Sequence, residues 1–102
     1  MKHRLTSTLV WTRRVGPNIY QQRFHQPQVA RAAKAGQFVH ILPASEHLFR
    51  RAFSVYATDP KEDTFDVLHQ VLGAGTRSLA TDPVGSELDT LGPLGNRFTH
   101  PP

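Results

Sequence analysis

Arg50-Arg51-Ala52-Phe53-Ser54-Val55-Tyr56 is the stretch whose reading decides the fold. Its aromatic and β-branched residues favour an extended strand, on which Arg51 and Phe53 share one face and Ser54 takes the other. Upstream, Gly36 opens Gln37-Phe38-Val39-His40-Ile41-Leu42, a strand stopped by Pro43. Downstream, the turn-prone Asp59-Pro60-Lys61-Glu62-Asp63 leads into Thr64-Phe65-Asp66-Val67-Leu68-His69-Gln70-Val71, a further strand. Nearer the N-terminus, Val10-Trp11-Thr12 lies in a Thr-rich stretch from Leu5 that ends at the turn signal Gly16-Pro17-Asn18. Ile19-Tyr20-Gln21-Gln22-Arg23-Phe24 follows, with Tyr20, Gln22 and Phe24 on one face, and the two segments are expected to pair as a hairpin.

Between these strands, residues 29–35 are rich in alanine and read as a short helix or a loop closed by Gly36. Thr76 is placed to cap a short helix through Leu79, which must end near Asp82 because Pro83 disfavours helical geometry in its predecessor. Glu87-Leu88-Asp89 leads into a sixth strand. Six short strands with one brief helix late in the order predict an all-β fold: a six-stranded antiparallel Greek-key barrel with one short helix.

Composition agrees. A chain of 102 residues with 8 prolines and 7 glycines suits many strands joined by turns, and is one domain at most. With no cysteine, disulfides, thiolate nucleophiles, zinc–thiolate sites and cysteine-held iron–sulfur clusters are excluded within the chain. The six histidines show no close pairing of the kind that builds zinc sites, and neither a metal site nor an acid–base pair is expected. The basic start Met1-Lys2-His3-Arg4 is followed by polar residues, and no run approaches a membrane span, so a cytoplasmic location is expected. The net charge of +4 hides an asymmetry: Lys2, Arg4, Arg13, Arg14, Arg23, Arg31 and Lys34 precede the first acid, Glu46. That polarity serves a solvated face, an acidic partner or an anionic ligand equally.

Two motifs carry chemistry. Arg51-x-Phe53-Ser54 offers a guanidinium for phosphate, an aromatic ring for a flat ring system and a hydroxyl for a ring nitrogen, the three things a flavin requires. The same spacing also serves a core Phe53 beside a surface Arg51. Gly73-Ala74-Gly75-Thr76 ahead of a helix would leave backbone N–H groups aimed at an anion such as a pyrophosphate, though a plain glycine turn reads the same way. It is neither a P-loop nor a Gly-x-Gly-x-x-Gly fingerprint.

In their order, Ala35-Gly36-Gln37-Phe38-Val39, Leu48-Phe49-Arg50-Arg51-Ala52-Phe53-Ser54-Val55, Val71-Leu72-Gly73-Ala74-Gly75-Thr76-Arg77-Ser78-Leu79, Gly85-Ser86-Glu87-Leu88-Asp89 and Leu91-Gly92-Pro93-Leu94-Gly95-Asn96 resemble the electron-transfer subunit of class B dihydroorotate dehydrogenase, within the ferredoxin–NADP reductase superfamily. The resemblance implies an FAD-binding barrel over residues 1–99 with a tail at 100–102. It implies that Arg51 meets the FAD pyrophosphate, Phe53 lies along the isoalloxazine or ribityl region, and Ser54 bonds near flavin N5. Gly73, Gly75 and Thr76 would hold the pyrophosphate through backbone N–H groups, Val67, Leu68 and His69 would lie where the strand passes the cofactor, and Arg77 is a further phosphate contact. Ala52 departs from the family, which usually has proline after the arginine pair; the change frees a backbone angle and adds an N–H.

The family continues into a nucleotide-binding domain and a [2Fe–2S] domain, both absent from these 102 residues. The resemblance therefore implies an NADH-dependent oxidoreductase, acting in pyrimidine biosynthesis, of which this chain supplies the flavin station. NADH would bind only through the missing domain, the cluster would not be bound by this chain, and the partner would be a catalytic subunit containing FMN. Exposed interface would favour self-association of the fragment. Two other readings are a flavin-free docking barrel and a single-stranded nucleic-acid-binding barrel with a patch of Tyr20, Arg23 and Phe24, although no nucleic-acid motif is present.

Overall fold

The computed structural model describes residues 4–34, 36–42, 51–71 and 74–94. Six strands, β1 (Arg4–Gly16), β2 (Ile19–His25), β3 (Phe38–Leu42), β4 (Arg51–Asp59), β5 (Thr64–Gln70) and β6 (Glu87–Leu94), are joined by two helices, α1 (Pro27–Ala32) and α2 (Ala74–Thr81). All strand pairs are antiparallel, and the order β1-β2-β5-β4-β3-β6 closes on itself. The barrel foreseen from the strand spacing is thus the observed one. Among the described strands, closure gives each one a neighbour on both sides.

Beside the expected short helix late in the order, a second short helix forms. The alanine-rich segment that read as helix or loop forms α1, starting earlier than its alanines suggest. Pro27 opens it with a preset φ, and Gln26 caps it: Gln26 Oε1 accepts from the Gln28 N–H at 2.7 Å, while Gln26 Nε2 donates to the Thr6 carbonyl at 2.9 Å. Thr76, expected as a cap, instead lies inside α2. Glutamine is a poor sequence signal for a cap, which is why α1 begins where no cap was read.

Alternation places the core. Ser7 and Leu9 of β1, Gln22 and Phe24 of β2, Val39 and Ile41 of β3, Phe53 and Val55 of β4, Phe65, Val67 and His69 of β5, and Leu88 and Thr90 of β6 are buried. Phe24 and Phe65 stack within the core, with centroids 5.4 Å apart. Val29 and Ala33 close one end from the α1 side, and Leu79 of α2 is buried with the core at the other. The ends are opposite because β2 and β5 run antiparallel, with Ile19 opposite Gln70 and His25 opposite Thr64.

Of the register shifts in the ladders, those at Leu9/Trp11 and Val55/Ala57 re-aim side chains. Leu9 pairs with Phe24 and then Trp11 with Arg23, so Val10 is the extra residue and the faces exchange beyond it. Thr12 consequently turns in to meet Gln22, while Arg13 lies over Trp11 outside. On β4, Val55 pairs with Val67 and Ala57 with Asp66, leaving Tyr56 as the extra residue, 55% exposed.

Candidate functional site

The end of the barrel from which α2 departs collects most of the residues singled out by sequence. β4 begins there at Arg51, opposite Ile41 of β3, and β5 ends there after His69. Arg51 is half-buried, Phe53 is buried inside the barrel and Ser54 is exposed, as alternation requires. On β5, Val67 and His69 point inward and Leu68 points out, 39% exposed. Gly75 and Thr76 lie in the first turn of α2, where backbone N–H groups have no intrahelical acceptor. Arg77 of the same helix is exposed. Gly73 lies outside the described residues, as do residues 48–50 and those after Leu94.

The strand side chains singled out by sequence therefore divide between two surfaces. Ser54 and Leu68 form an outer wall on β4 and β5, while Phe53, Val67 and His69 are the inner face of the same strands. Phe53 meets the His69 ring edge-on, with centroids 5.1 Å apart. A ligand on the outer wall would touch the inner three through backbone, with their side chains holding that backbone rigid. Tyr56, which the sequence reading left without a role, shares the exposed side of β4 with Ser54. Period-two alternation counted from Ser54 is the signal that could have found it.

A polar network lies inside the barrel at this end. Gln22 is fully buried. Its amide nitrogen donates to Thr12 Oγ1 at 3.0 Å and to the Leu79 carbonyl at 2.9 Å, which spends both amide hydrogens. Its Oε1 faces His69 Nε2 at 2.7 Å. With the amide so oriented, His69 Nε2 must be the donor, and the ring is the neutral tautomer protonated on Nε2. Nδ1 is buried without a hydrogen-bond partner. Burial lowers the His69 pKa to about 4, because a charged ring there would be desolvated.

The patch of Tyr20, Arg23 and Phe24 considered for single-stranded nucleic acid does not assemble. Phe24 points into the core and has no exposed surface. Arg23 lies on the opposite face, where Nε donates to Asp66 Oδ1 at 2.7 Å and Nη2 to Oδ2 at 2.9 Å. The hydrogen bond to the nearly buried Asp66 raises the Arg23 pKa, and its guanidinium also lies over the Trp11 ring at 4.8 Å. The two residues alternate on one strand, so they could never share a surface.

No family model matches the chain. It is 40% identical over 92 residues to the dihydroorotate dehydrogenase B (NAD(+)) electron transfer subunit of Enterococcus faecalis, covering 89% of this chain and 35% of that protein. It is 34% identical over 100 residues to the subunit of the same name from Bacillus cereus, covering 96% of this chain and 39% of that one. Among solved structures, an NADH-dependent reduced ferredoxin-NADP oxidoreductase described for flavin-based electron bifurcation superposes with a TM-score of 0.82 at 29% identity, over 91% of this chain and 34% of that one. The chain thus spans little more than a third of the curated relatives it matches, and it is homologous to that part of dihydroorotate dehydrogenase B electron transfer subunits.

Proposed function

We propose that this chain is the FAD-binding barrel of an NADH-dependent electron-transfer subunit serving dihydroorotate oxidation. The observation that carries the reading is the convergence of Arg51, the wall of Ser54 and Leu68, and the first turn of α2 at one end of a closed barrel homologous to such subunits. The fit to FAD is chemical. Arg51 supplies a fixed cation at the strand start, the α2 N–H groups at Gly75 and Thr76 supply donors along the helix dipole, and together they suit a pyrophosphate. Ser54 supplies a hydroxyl beside the exposed apolar surface of Leu68, which suits the polar edge and flat face of an isoalloxazine.

When bound, FAD supplies exchange between a two-electron hydride donor and one-electron carriers. The chain's own residues bind and orient it. Arg51 would neutralise the diphosphate, α2 would hold it, Ser54 would hydrogen-bond the ring near N5, and the backbone of residues 67–69 would line the strand side. The NADH-binding domain, a [2Fe–2S] cluster and an FMN-containing catalytic subunit would stand outside these 102 residues, in a cytoplasmic complex. The homologues' designation as electron transfer subunits supports such a partner.

Titration of the purified chain with FAD, read by quenching of flavin fluorescence and the shift of visible absorption, tests the reading. Saturable binding that prefers FAD over FMN is expected, because FMN lacks the second phosphate. A folded chain that binds neither, or both alike, would contradict it.

A further inference from the structure

We infer that Gln22 is a positioning residue for the flavin site: from inside the barrel it ties the Leu79 carbonyl, and with it α2, to β2 and β5. The inference rests on the FAD reading above and adds how the pyrophosphate-holding helix is kept in place. α2 has only eight residues, too short to be stable alone, so its position depends on what it packs against. Leu79 provides one anchor, its side chain fully buried in the core. The Leu79 carbonyl lies in the last turn, among those without an intrahelical donor. Asp82 N–H reaches it at 3.3 Å, and the Gln22 amide reaches it at the shorter 2.9 Å.

Gln22 is itself held firmly. The Thr12 hydroxyl takes its other amide hydrogen, and His69 Nε2 donates to its oxygen, so β1, β2, β5 and α2 meet on one side chain. Gln22 is fully buried, and its amide meets three partners, of which only the Leu79 carbonyl belongs to α2. Removing Gln22 leaves the Leu79 carbonyl only the longer bond from Asp82 and leaves the His69 N–H without its acceptor, and α2 loses its tie to β2. Because α2 faces the phosphates and β4 faces the ring, a loosened α2 should weaken phosphate recognition selectively.

The test is Gln22→Met, measured with FAD and with riboflavin, which shares the ring and ribityl chain but carries no phosphate. FAD affinity is expected to fall roughly tenfold, the loss of about one buried hydrogen bond, while riboflavin affinity changes less than about twofold. Thr12→Val removes another Gln22 bond but leaves the Leu79 link, and should preserve the ratio of the two affinities. Equal losses for both ligands in Gln22→Met, or none, would overturn the positioning role while leaving FAD binding by the parent chain intact. A parent chain that binds no FAD would instead remove the reading beneath it. Hydrogen exchange on the parent chain gives a readout that needs no variant to fold: a latched α2 opens together with β2 and β5. An α2 whose amides exchange orders of magnitude faster than those strands would overturn the latch.

Discussion

Arg51→Ala is expected to raise the dissociation constant for FAD about 100-fold, whereas Arg13→Ala should change it less than about twofold. A charge-assisted hydrogen bond between guanidinium and phosphate contributes about 2–3 kcal/mol when the arginine is partly desolvated. Arg51 meets that condition: it is half-buried, fixed by strand pairing to Ile41, and at the barrel end where α2 begins. Arg13 has the same charge in a different place. It is exposed on the outside of β1, bonded to Gln21 at 3.4 Å and lying 4.8 Å from the Trp11 ring, and β2 and β5 separate its strand from β4. Binding measured for both variants under one salt condition separates a site from general basicity, and equal losses would move the anion away from Arg51.

Between pH 6.5 and about 4, the stability of the flavin-free chain is expected to fall by about 2 kcal/mol more than that of the His69→Gln variant. The direction follows from His69. Its folded pKa is lowered to about 4, while the unfolded ring titrates near the ordinary 6.5, so in that window the unfolded chain binds the extra proton. Stability from this group is therefore full above pH 6.5 and is lost as pH falls toward 4. Glutamine at this position keeps a donor for Gln22 Oε1 but cannot titrate, so the difference isolates the ring from the carboxylates. Denaturant unfolding at a series of pH values measures it, and parallel curves for the two proteins would show that His69 charges freely in the folded state.

The sequence was most legible where a single strand period sufficed. Phe53 and Val55 on β4, and Phe65 and Val67 on β5, take the inward positions that a period of two gives them and are all buried, and Pro83 marked the region where α2 ends. Less legible were features that depend on pairing between distant strands. The bulge at Val10 turns Trp11 outward and Thr12 inward, and nothing local to β1 announces it, since it arises from register against β2. Asp66 has no partner near it in sequence, yet it takes both Arg23 and Gln21 from the neighbouring strand. The strand period puts Gln22 on one face with Tyr20 and Phe24 but says nothing of its role, because its partners Thr12, His69 and Leu79 come from three other elements. At the candidate site, resemblance assigned Arg51, Ser54 and the glycine segment to one ligand. The division of Phe53, Val67 and His69 from Ser54 and Leu68 needed the barrel's closure to say which face was inside.

Whether FAD occupies the α2 end of the barrel is answered most directly by backbone amide shift mapping of the folded chain on addition of FAD. The predicted perturbations cluster at Arg51, Ser54, Leu68, Gly75 and Thr76, with Trp11, Arg13 and α1 unchanged. Largest shifts on the outside of β1 or at α1, with α2 and the start of β4 silent, would contradict the assignment.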